Sequence, residues 1–306
     1  MRGIILAGGT GSTGSRAPVS HPLVPVFDKP MIYYPLATLM LAGIREVLVI
    51  STPDDGPAVQ RLLRDGSHLG ISLRHAVQAE PLGTAHALVL GAGFAGGLPV
   101  ALALGDNLLH GPGVGPTLAA HTDPAGAHVF AHRVRNPGDY GVVELDRDGH
   151  ALSIEEKPSR PRSDYAVPGL YFYDAAVVDV AAALRPRPGG RLEITDVNEA
   201  SRVRGQLRVT LLGPETAWLD TGTFDTLAAA TQFVRTVEVQ QGYKIGCIEE
   251  VAWRRGWIDD AALSTLGRDA GRTGYGQYLR LLAGNRRDHV VVELPAPRGT
   301  AARTAG

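Results

Sequence analysis

Buried-strand patterns and amphipathic-helix patterns alternate along the first third of the chain. Gly3–Leu6 and Glu46–Ile50 are almost purely apolar, which is typical of strands covered on both faces in a parallel sheet. Pro30–Ala42 lies between them with apolar residues at helical spacing, and Gly43 follows it as a helix-stop signal. The alternation continues with predicted strands at Ser72–His75 and Val100–Leu104 and predicted helices at Ala58–Leu63 and Thr84–Gly91. This pace predicts a Rossmann-like, doubly wound α/β fold with a mostly parallel central sheet.

The second half of the chain has a different pattern, in which short apolar strands are separated by turns. The predicted strands are His128–Val134, Gly141–Leu145, Ala166–Tyr173 and Leu207–Leu212. We expect them to extend the central sheet as a mixed sheet. The predicted helices after them are Thr223–Gly242, Ala261–Leu266 and Gly276–Ala283. The last stretch, residues 295–306, is rich in Ala, Arg, Pro and Gly, and we expect it to be disordered.

Composition and charge narrow the classes of protein to which this chain can belong. The 306 residues are 44% hydrophobic and 20% charged, which is ordinary for a globular protein of one large domain or two. The formal net charge of −1 provides no basic field for nucleic acid. The single cysteine, Cys247, excludes an internal disulfide and a cysteine-based zinc cluster. Neither a membrane-spanning run nor a signal peptide is evident, and we expect a cytoplasmic protein without a membrane partner.

A run of small residues, Gly8-Gly9-Thr10-Gly11, follows the first predicted strand. Consecutive glycines after a strand allow close approach to the backbone, and exposed N–H groups in such a loop bind phosphate. A flexible surface turn is the alternative interpretation. Ligands of doubly wound sheets bind beyond the carboxyl ends of the strands, where both this loop and Gly105-Asp106-Asn107 are expected.

Short motifs that occur in order along the chain indicate a family. They are GIILAGG, FDKPMIYYPL, LMLAGI, ISTP, LGDN, YGVVE, EEKP, GLYFYD, LEITDVN, WLDTGT and YGQYL. Together they resemble the bacterial glucose-1-phosphate thymidylyltransferases, a family of sugar nucleotidyltransferases, over about residues 1–283. The resemblance implies the nucleotide-diphospho-sugar transferase fold. It divides the chain into an α/β core at 1–222, with a nucleotide part to about 110 and a sugar part after it, and a C-terminal helical segment at 223–294.

The resemblance also implies a reaction and its cofactor. A sugar-1-phosphate oxygen attacks the α-phosphorus of deoxythymidine triphosphate, and pyrophosphate leaves without a covalent enzyme intermediate. Catalysis of this kind consists of positioning and charge neutralisation. Asp106 and Asp220 match the two carboxylates that hold Mg²⁺, a cation that suits carboxylate, phosphate and water oxygens. Read alone, Asp106 is equally a candidate helix cap.

Other positions match the family's substrate contacts. Gln78 and Gly83 match base-recognition positions, and a glutamine amide can pair with an imide edge as donor and acceptor. Leu6, Gly8, Gly9 and Gly11 match the nucleotide loop. Gly141, Glu156, Val167 and Tyr171 match sugar contacts, and Lys157 matches a residue near the sugar phosphate. The alternatives are a solvated charged run for residues 155–157, an exposed Gln78 and a core position for Tyr171.

The signature loop departs from the family pattern at phosphate-facing positions. Thr13 stands where ungapped alignment puts an arginine, His21 where relatives have a lysine, and Gly189 where relatives have another arginine. Threonine and glycine carry no charge, and an unperturbed histidine is mostly neutral near pH 7. Arg16 is the candidate replacement cation in the loop, with Arg191 near Gly189, and we name Arg16 and His21 with Lys157 as the candidate catalytic residues.

Two functions follow from this pattern. The first is a Mg²⁺-dependent sugar-1-phosphate nucleotidyltransferase that uses a nucleoside triphosphate, most simply the thymidylyltransferase itself. The second is a repurposed or silent relative that binds a nucleotide, a sugar nucleotide or another small molecule. The resemblance further implies a homo-oligomer, a tetramer, with subunit contacts from the C-terminal helical segment.

Overall fold

The computed structural model describes residues 1–8, 21–187 and 189–284. Its strands are β1 Arg2–Ala7, β2 Pro25–Val26, β3 Lys29–Pro30, β4 Glu46–Ser51, β5 Ser72–Val77, β6 Val100–Leu104, β7 Asn107–His110, β8 Ala127–Arg133, β9 Gly141–Leu145, β10 Ala151–Glu156, β11 Tyr165–Ala166, β12 Leu170–Tyr173, β13 Leu207–Leu211 and β14 Ala217–Asp220. Its α-helices are α1 Tyr33–Leu41, α2 Gly56–Leu63, α3 His86–Leu90, α4 Ala92–Ala95, α5 Val114–Ala119, α6 Val177–Ala182, α7 Ile194–Val203, α8 Phe224–Gln241, α9 Ile248–Arg254, α10 Asp260–Asp269 and α11 Gly274–Gly284. The candidate disordered tail lies outside the described residues.

Ten of the described strands form one sheet. Four parallel neighbours, in the order β5-β4-β1-β6, form the predicted central part. On the other side of β6, β12 runs antiparallel and leads to β8, β11, β9 and β10, while β13 pairs parallel with β8. The predicted α/β class, with a parallel core and a mixed extension, is therefore confirmed.

Two small ladders lie outside this sheet and bring distant parts of the chain together. β14 pairs antiparallel with β7, and the register sets Asp220 opposite Asn107. β2 pairs with β3, and this ladder occupies Pro30, which the sequence pattern assigned to the first helix. The helix therefore begins at Tyr33 and not at Pro30.

The predicted strand over Ala166–Tyr173 is wrong as one element. The structure contains β11 and β12, with Val167, Pro168 and Gly169 between them. Pro168 has no N–H to contribute to a ladder, and Gly169 donates its N–H to the Asn107 side chain at 3.1 Å. The apolar run is continuous in sequence, but its middle forms part of a cavity wall described below.

The main hydrophobic cluster lies between the sheet and the helices that cover it. Ile4, Ile50, Leu88, Leu102 and Val197 are among its fully buried members. A second cluster joins Met31, Tyr34 and Leu108 to Ala230 and Val234 of α8. This packing holds α8 against the rest of the compact unit formed by residues 1–258. Thr223 caps the start of α8 with a capping box, and Gly242 follows its end at φ 73°.

The segment from Asp259 forms a second compact unit. Asp259 caps α10 by accepting the Ala262 N–H at 2.8 Å. α10 and α11 pack closely: a Cβ on Gly276 would lie only 2.7 Å from the Gly267 carbonyl oxygen, so a larger residue would not fit there. The functional boundaries expected at residues 222 and 294 stay predictions. Within the described ranges no helix is both long and apolar enough to span a bilayer.

Candidate active site

A cavity opens where β6 ends at the centre of the sheet. Leu104 closes that strand, and Asp106 and Asn107 follow it directly into the cavity wall. The rest of the wall comes from the mixed extension, from β14 and from the segment before α7. Among the residues predicted from the sequence, the wall contains Asp106, Gly141, Glu156, Lys157, Val167, Tyr171 and Asp220.

Thr221, the residue after Asp220, links the two candidate metal carboxylates. Thr221 donates its backbone N–H and its hydroxyl to the Asp106 carbonyl oxygen, each at 2.9 Å. The Asp220 carboxylate accepts the Gly222 N–H at 3.1 Å. Asp106 does not cap an α-helix, since β7 follows it. Both carboxylates therefore face one cavity although most of the core domain separates them in sequence.

Asn107 fixes the orientation of the Asp106 carboxylate. Its Nδ2 donates to Asp106 Oδ1 at 2.8 Å. Its Oδ1 accepts from Trp218 Nε1 at 2.6 Å and from the Gly169 N–H at 3.1 Å. Since both of those partners can only donate, the amide cannot turn around. One side chain thus joins β7, β14 and the break between β11 and β12.

The cavity is rich in negative charge. Asp106, Asp139, Glu156, Glu193 and Asp220 line it, against the cations Lys157 and Arg191. Burial raises the pKa of Tyr171 well above its usual range, and Glu156, Asp106 and Glu193 raise it further. Burial likewise raises the pKa of Tyr140, and Asp220 and Asp139 add to this effect. Carboxylate oxygens in an acidic pocket suit a hard cation such as Mg²⁺, so the chemistry of Asp106 and Asp220 fits the metal-ligand role expected from the sequence.

Gly141 lies beside the Glu156 carboxylate and the Thr195 hydroxyl. A Cβ there would lie 3.4 Å from Glu156 Oε2 and 3.6 Å from Thr195 Oγ1. The Thr195 hydroxyl donates to Glu156 Oε2 at 2.5 Å, and the Val167 N–H donates to the Gly141 carbonyl at 2.8 Å. Three of the predicted sugar-site positions, Gly141, Glu156 and Val167, are therefore adjacent, and Tyr171 lines the same cavity. Tyr171 is buried and stacks on Tyr173 at 6.3 Å, so it belongs to the sheet core and to the cavity wall at once.

Lys157 enters the cavity from a strained backbone. Its φ is 44°, which is uncommon for a residue other than glycine, and its N–H donates to the Tyr140 carbonyl at 2.9 Å. Within the described ranges no carboxylate pairs with its ammonium group. Arg191 also lines the cavity and forms an ion pair with Glu193 at 2.9 Å. Gly189, whose φ is 90°, is exposed, and its missing Cβ faces open space.

The predicted nucleotide positions lie at the ends of the parallel strands. The Leu6 side chain is in the core, and its carbonyl oxygen accepts the Gly105 N–H at 2.9 Å. A Cβ on Gly8 would lie 3.1 Å from the backbone nitrogen of Thr52. A glycine therefore suits this position, where the chain after β1 packs closely against the chain after β4. Gly9, Gly11, Thr13 and Arg16 lie outside the described residues. His21 begins a short 3₁₀ turn over His21–Leu23.

Gln78 and Gly83 lie next to each other. The Gln78 Nε2 donates to the Gly83 carbonyl at 3.3 Å, and Gln78 is only 7% exposed. The alternative of an exposed glutamine is therefore wrong. Gly83 has φ 94°, and a Cβ there would lie 2.3 Å from the Leu192 carbonyl oxygen. Neither residue is part of the cavity wall, although the neighbouring Thr84 is.

Several cavity residues were given no role of their own from the sequence. They are Thr84, Asn107, Tyr140, Glu193 and Trp218. Tyr140 and Trp218 pack with their ring centroids 4.8 Å apart and make an aromatic wall. The motifs LGDN, YGVVE, LEITDVN and WLDTGT already contained or adjoined most of these residues. The signal was therefore present, but only the pairing of β7 with β14 shows which members of each motif meet.

Comparisons with known proteins agree with this arrangement. A family model described as "Nucleotidyl transferase" matches residues 2–237. A glucose-1-phosphate thymidylyltransferase of Mycolicibacterium smegmatis is 54% identical over 281 residues, which is 91% of this chain and 98% of that protein. The enzyme of the same name from an Actinoplanes strain is 55% identical over 287 residues, with 93% and 95% covered.

Solved structures give the same result. A Bacillus anthracis protein assigned as a glucose-1-phosphate thymidylyltransferase, solved in complex with a sucrose, matches with a TM-score of 0.70 and 33% identity. The match covers 76% of this chain and 95% of that one. A UDP-glucose pyrophosphorylase complexed with UDP-glucose has a TM-score of 0.65 at 19% identity, covering 77% and 98%, and supports the fold alone.

The sheet topology and the cavity beyond β6 define an enzyme of the nucleotide-diphospho-sugar transferase fold. Within that fold class, the chain belongs to the nucleotidyl transferase family. The resemblance seen in the sequence is confirmed.

Proposed function

We propose that this protein is a glucose-1-phosphate thymidylyltransferase, which forms dTDP-glucose and pyrophosphate from dTTP and glucose-1-phosphate. The observation that carries the proposal is the identity above 50% to thymidylyltransferases over more than nine-tenths of both chains. The alternative of a silent or repurposed relative is not favoured by these relatives. The homotetramer implied by the resemblance and the cytoplasmic location expected from the sequence stay predictions.

The proposed reaction needs a nucleophile, a leaving group and charge neutralisation. A phosphate oxygen of glucose-1-phosphate forms a bond to the α-phosphorus, and the bond from that phosphorus to the β-phosphate bridging oxygen breaks. Mg²⁺ held by Asp106 and Asp220 would neutralise charge on the phosphate oxygens. Lys157 would bind the sugar phosphate, and Glu156 and the Gly141–Val167 backbone would orient the sugar hydroxyls. Orientation of this kind lowers the entropic part of the barrier.

The cavity supports these roles through its charges and its polar groups. Glu156 is held by Thr195 and accepts hydrogen bonds at a fixed place, as a sugar hydroxyl requires. The Lys157 ammonium lines the same cavity as Asp106 and Asp220, and a phosphate between them would contact cations on both sides once Mg²⁺ is bound. The aromatic pair of Tyr140 and Trp218 offers an apolar wall that a sugar ring can cover.

The test is pyrophosphate release from dTTP, glucose-1-phosphate and Mg²⁺ by the full chain. Asp106→Asn and Asp220→Asn should each lower kcat by at least ~10²-fold, because each removes an anionic ligand of the Mg²⁺ that would neutralise the charge on the phosphate oxygens. Asp148→Asn, in the exposed turn between β9 and β10, is the matched control and should leave the rate unchanged. Binding of dTTP without any pyrophosphate release would overturn the proposal and support the binding relative.

A further inference from the structure

A histidine that no motif includes contacts the glutamine expected to recognise the base. Gln78 follows β5 directly, and its N–H donates to the Ser51 carbonyl at the end of β4, at 2.9 Å. This anchors its backbone at the carboxyl edge of the parallel sheet. His86 is the first residue of α3, and its Nδ1 lies 3.0 Å from Gln78 Nε2.

The two partners of the Gln78 amide determine its orientation. One is the Gly83 carbonyl oxygen, at 3.3 Å, which can only accept a hydrogen bond. The NH₂ end of the amide must therefore be the end that points there. Since the same NH₂ end faces His86 Nδ1, that ring nitrogen must accept, and the ring carries its proton on Nε2. A protonated Nδ1 would direct a second donor at the amide hydrogens.

Both partners are held in place by their surroundings. Gly83 cannot shift freely, because its backbone is packed against Leu192 so closely that no Cβ would fit. The Ala85 N–H donates to the Leu192 carbonyl at 2.9 Å, and Ala85 and Ala87 on either side of His86 are fully buried. The start of α3 is therefore fixed to the segment that carries Arg191 and Glu193 into the cavity.

This arrangement leaves one end of the amide for a ligand. The two Nε2 hydrogens are used by Gly83 and His86. In the part of the chain that the structure describes, Oε1 accepts no hydrogen bond. An oxygen presented alone accepts from a ring N–H, such as the N3–H of an imide base. The N3 atom of cytosine carries no hydrogen, so its lone pair would face the lone pair of Oε1 and the two atoms would repel each other.

We propose that His86 is a positioning residue, which acts with the Gly83 carbonyl to hold the Gln78 amide so that the base site presents an acceptor and selects an imide base over cytosine. The inference rests on the proposed function for the identity of the base site. It assigns to His86 a part in base selectivity that acts through Gln78. Without the His86 acceptor, only the longer 3.3 Å hydrogen bond to Gly83 opposes turning of the amide. A larger fraction of molecules then offers the NH₂ group to cytosine N3.

Binding of dTTP and of dCTP to the full chain, measured by titration calorimetry, tests the proposal without catalysis. We expect His86→Leu to lower the preference for dTTP over dCTP by about fivefold to tenfold, the scale of one hydrogen bond. His86→Asn, whose Oδ1 can accept at nearly the place of Nδ1, should keep the preference. In a Gln78→Ala background, His86→Leu should have no further effect on the preference.

Other outcomes overturn the proposal. An equal loss of dTTP and dCTP affinity in His86→Leu, or the same loss in the Gln78→Ala background, would mean that His86 is merely structural. The ¹⁵N shifts of His86 in the unsubstituted protein are a second measurement that needs no variant, and an Nδ1-protonated ring would also overturn it. If dTTP is preferred but no pyrophosphate is released, the transfer reaction fails while the His86 inference stands. If neither nucleotide binds, both fail.

Discussion

Thr221 donates two hydrogen bonds to one oxygen of Asp106. The N–H and the hydroxyl both contact the Asp106 carbonyl at 2.9 Å, across 115 positions of sequence. Because Thr221 follows Asp220 directly, this contact sets the separation between the two candidate metal carboxylates. Thr221 is fully buried, so its hydroxyl hydrogen bond is shielded from water.

Thr221→Val should therefore weaken Mg²⁺ binding although it changes neither carboxylate. Valine keeps the shape and the backbone N–H but removes the hydroxyl donor from a buried carbonyl. We expect the Mg²⁺ concentration for half-maximal activity to rise by about tenfold or more, the usual scale for a residue that supports a metal ligand. Thr265→Val, on the exposed face of α10, is the matched control. An unchanged Mg²⁺ requirement in Thr221→Val would show that the backbone contact alone fixes Asp106.

A buried cluster of four charges joins the strand after the signature loop to α8. Lys29 is buried and binds Asp28 at 2.6 Å and Glu238 at 2.7 Å, and Lys244 binds Glu238 at 2.7 Å and also contacts Asp28. Glu238→Ala would leave the Lys29 ammonium buried with fewer partners. We expect it to lower the free energy of unfolding by about 3 kcal/mol or more in urea titrations.

Glu46→Ala is the control for that measurement. The Glu46 side chain is 49% exposed and pairs with Arg2 at 3.1 Å. Exposed ion pairs contribute about 0–1 kcal/mol, so this variant should be nearly as stable as the parent protein. Equal losses in the two variants would mean that burial of the cluster does not decide its contribution.

Two stacked histidines make the stability of the β8–β13 edge depend on pH. The rings of His121 and His128 lie 3.9 Å apart, and both Nε2 atoms contact the Thr210 hydroxyl, at 3.2 and 2.9 Å. Burial, together with the neighbouring His121 and Arg208, lowers the pKa of His128 to about 4. The folded-state pKa is below the unfolded value near 6.5. The stabilisation is therefore present above pH 6.5 and is lost as the pH falls from 6.5 towards 4.

His128→Gln keeps a hydrogen-bonding side chain and removes this titration. Between pH 6.5 and pH 4, we expect the free energy of unfolding to fall by about 1–2 kcal/mol more in the parent than in the variant, after allowance for solvent screening. Urea unfolding at several pH values measures this difference. A parent-like curve for His128→Gln would show that other groups control acid stability.

The signature loop gives a prediction that depends on the sequence alone, because Thr13 and Arg16 lie outside the described residues. If Arg16 provides the charge that Thr13 lacks, Arg16→Ala should lower kcat by at least ~10²-fold. The dissociation constant for dTTP should change less, because the charge develops in the transition state. If the parent protein has no activity, Thr13→Arg with His21→Lys and Gly189→Arg should restore pyrophosphate release. Failure of both, with the fold intact by circular dichroism, would contradict the role of these cations.

The central strands and the overall fold class could be predicted from the sequence because their signal is local. Residues 47–50 and 100–104 are continuous apolar runs, and the structure buries most of their side chains in a parallel sheet. Thr223 and Gly242 are local cap signals, and α8 begins and ends beside them. The short strands β7 and β14 have no such signal, and they pair with each other across more than 100 residues of sequence.

The chemistry of the candidate site is divided in the same way. The sequence by itself identified part of the charged set, because the motifs contain Asp106, Lys157 and Asp220. Only the tertiary structure decided that Thr221 supports Asp106, that Trp218 and Gly169 orient Asn107, and that His86 contacts Gln78. The first three contacts join residues that are distant in sequence. The contact of His86 with Gln78 is more local, and it depends on the conformation of the segment between β5 and α3. A linear pattern states which residues are present, whereas the donor and acceptor that meet depend on where packing brings the backbone.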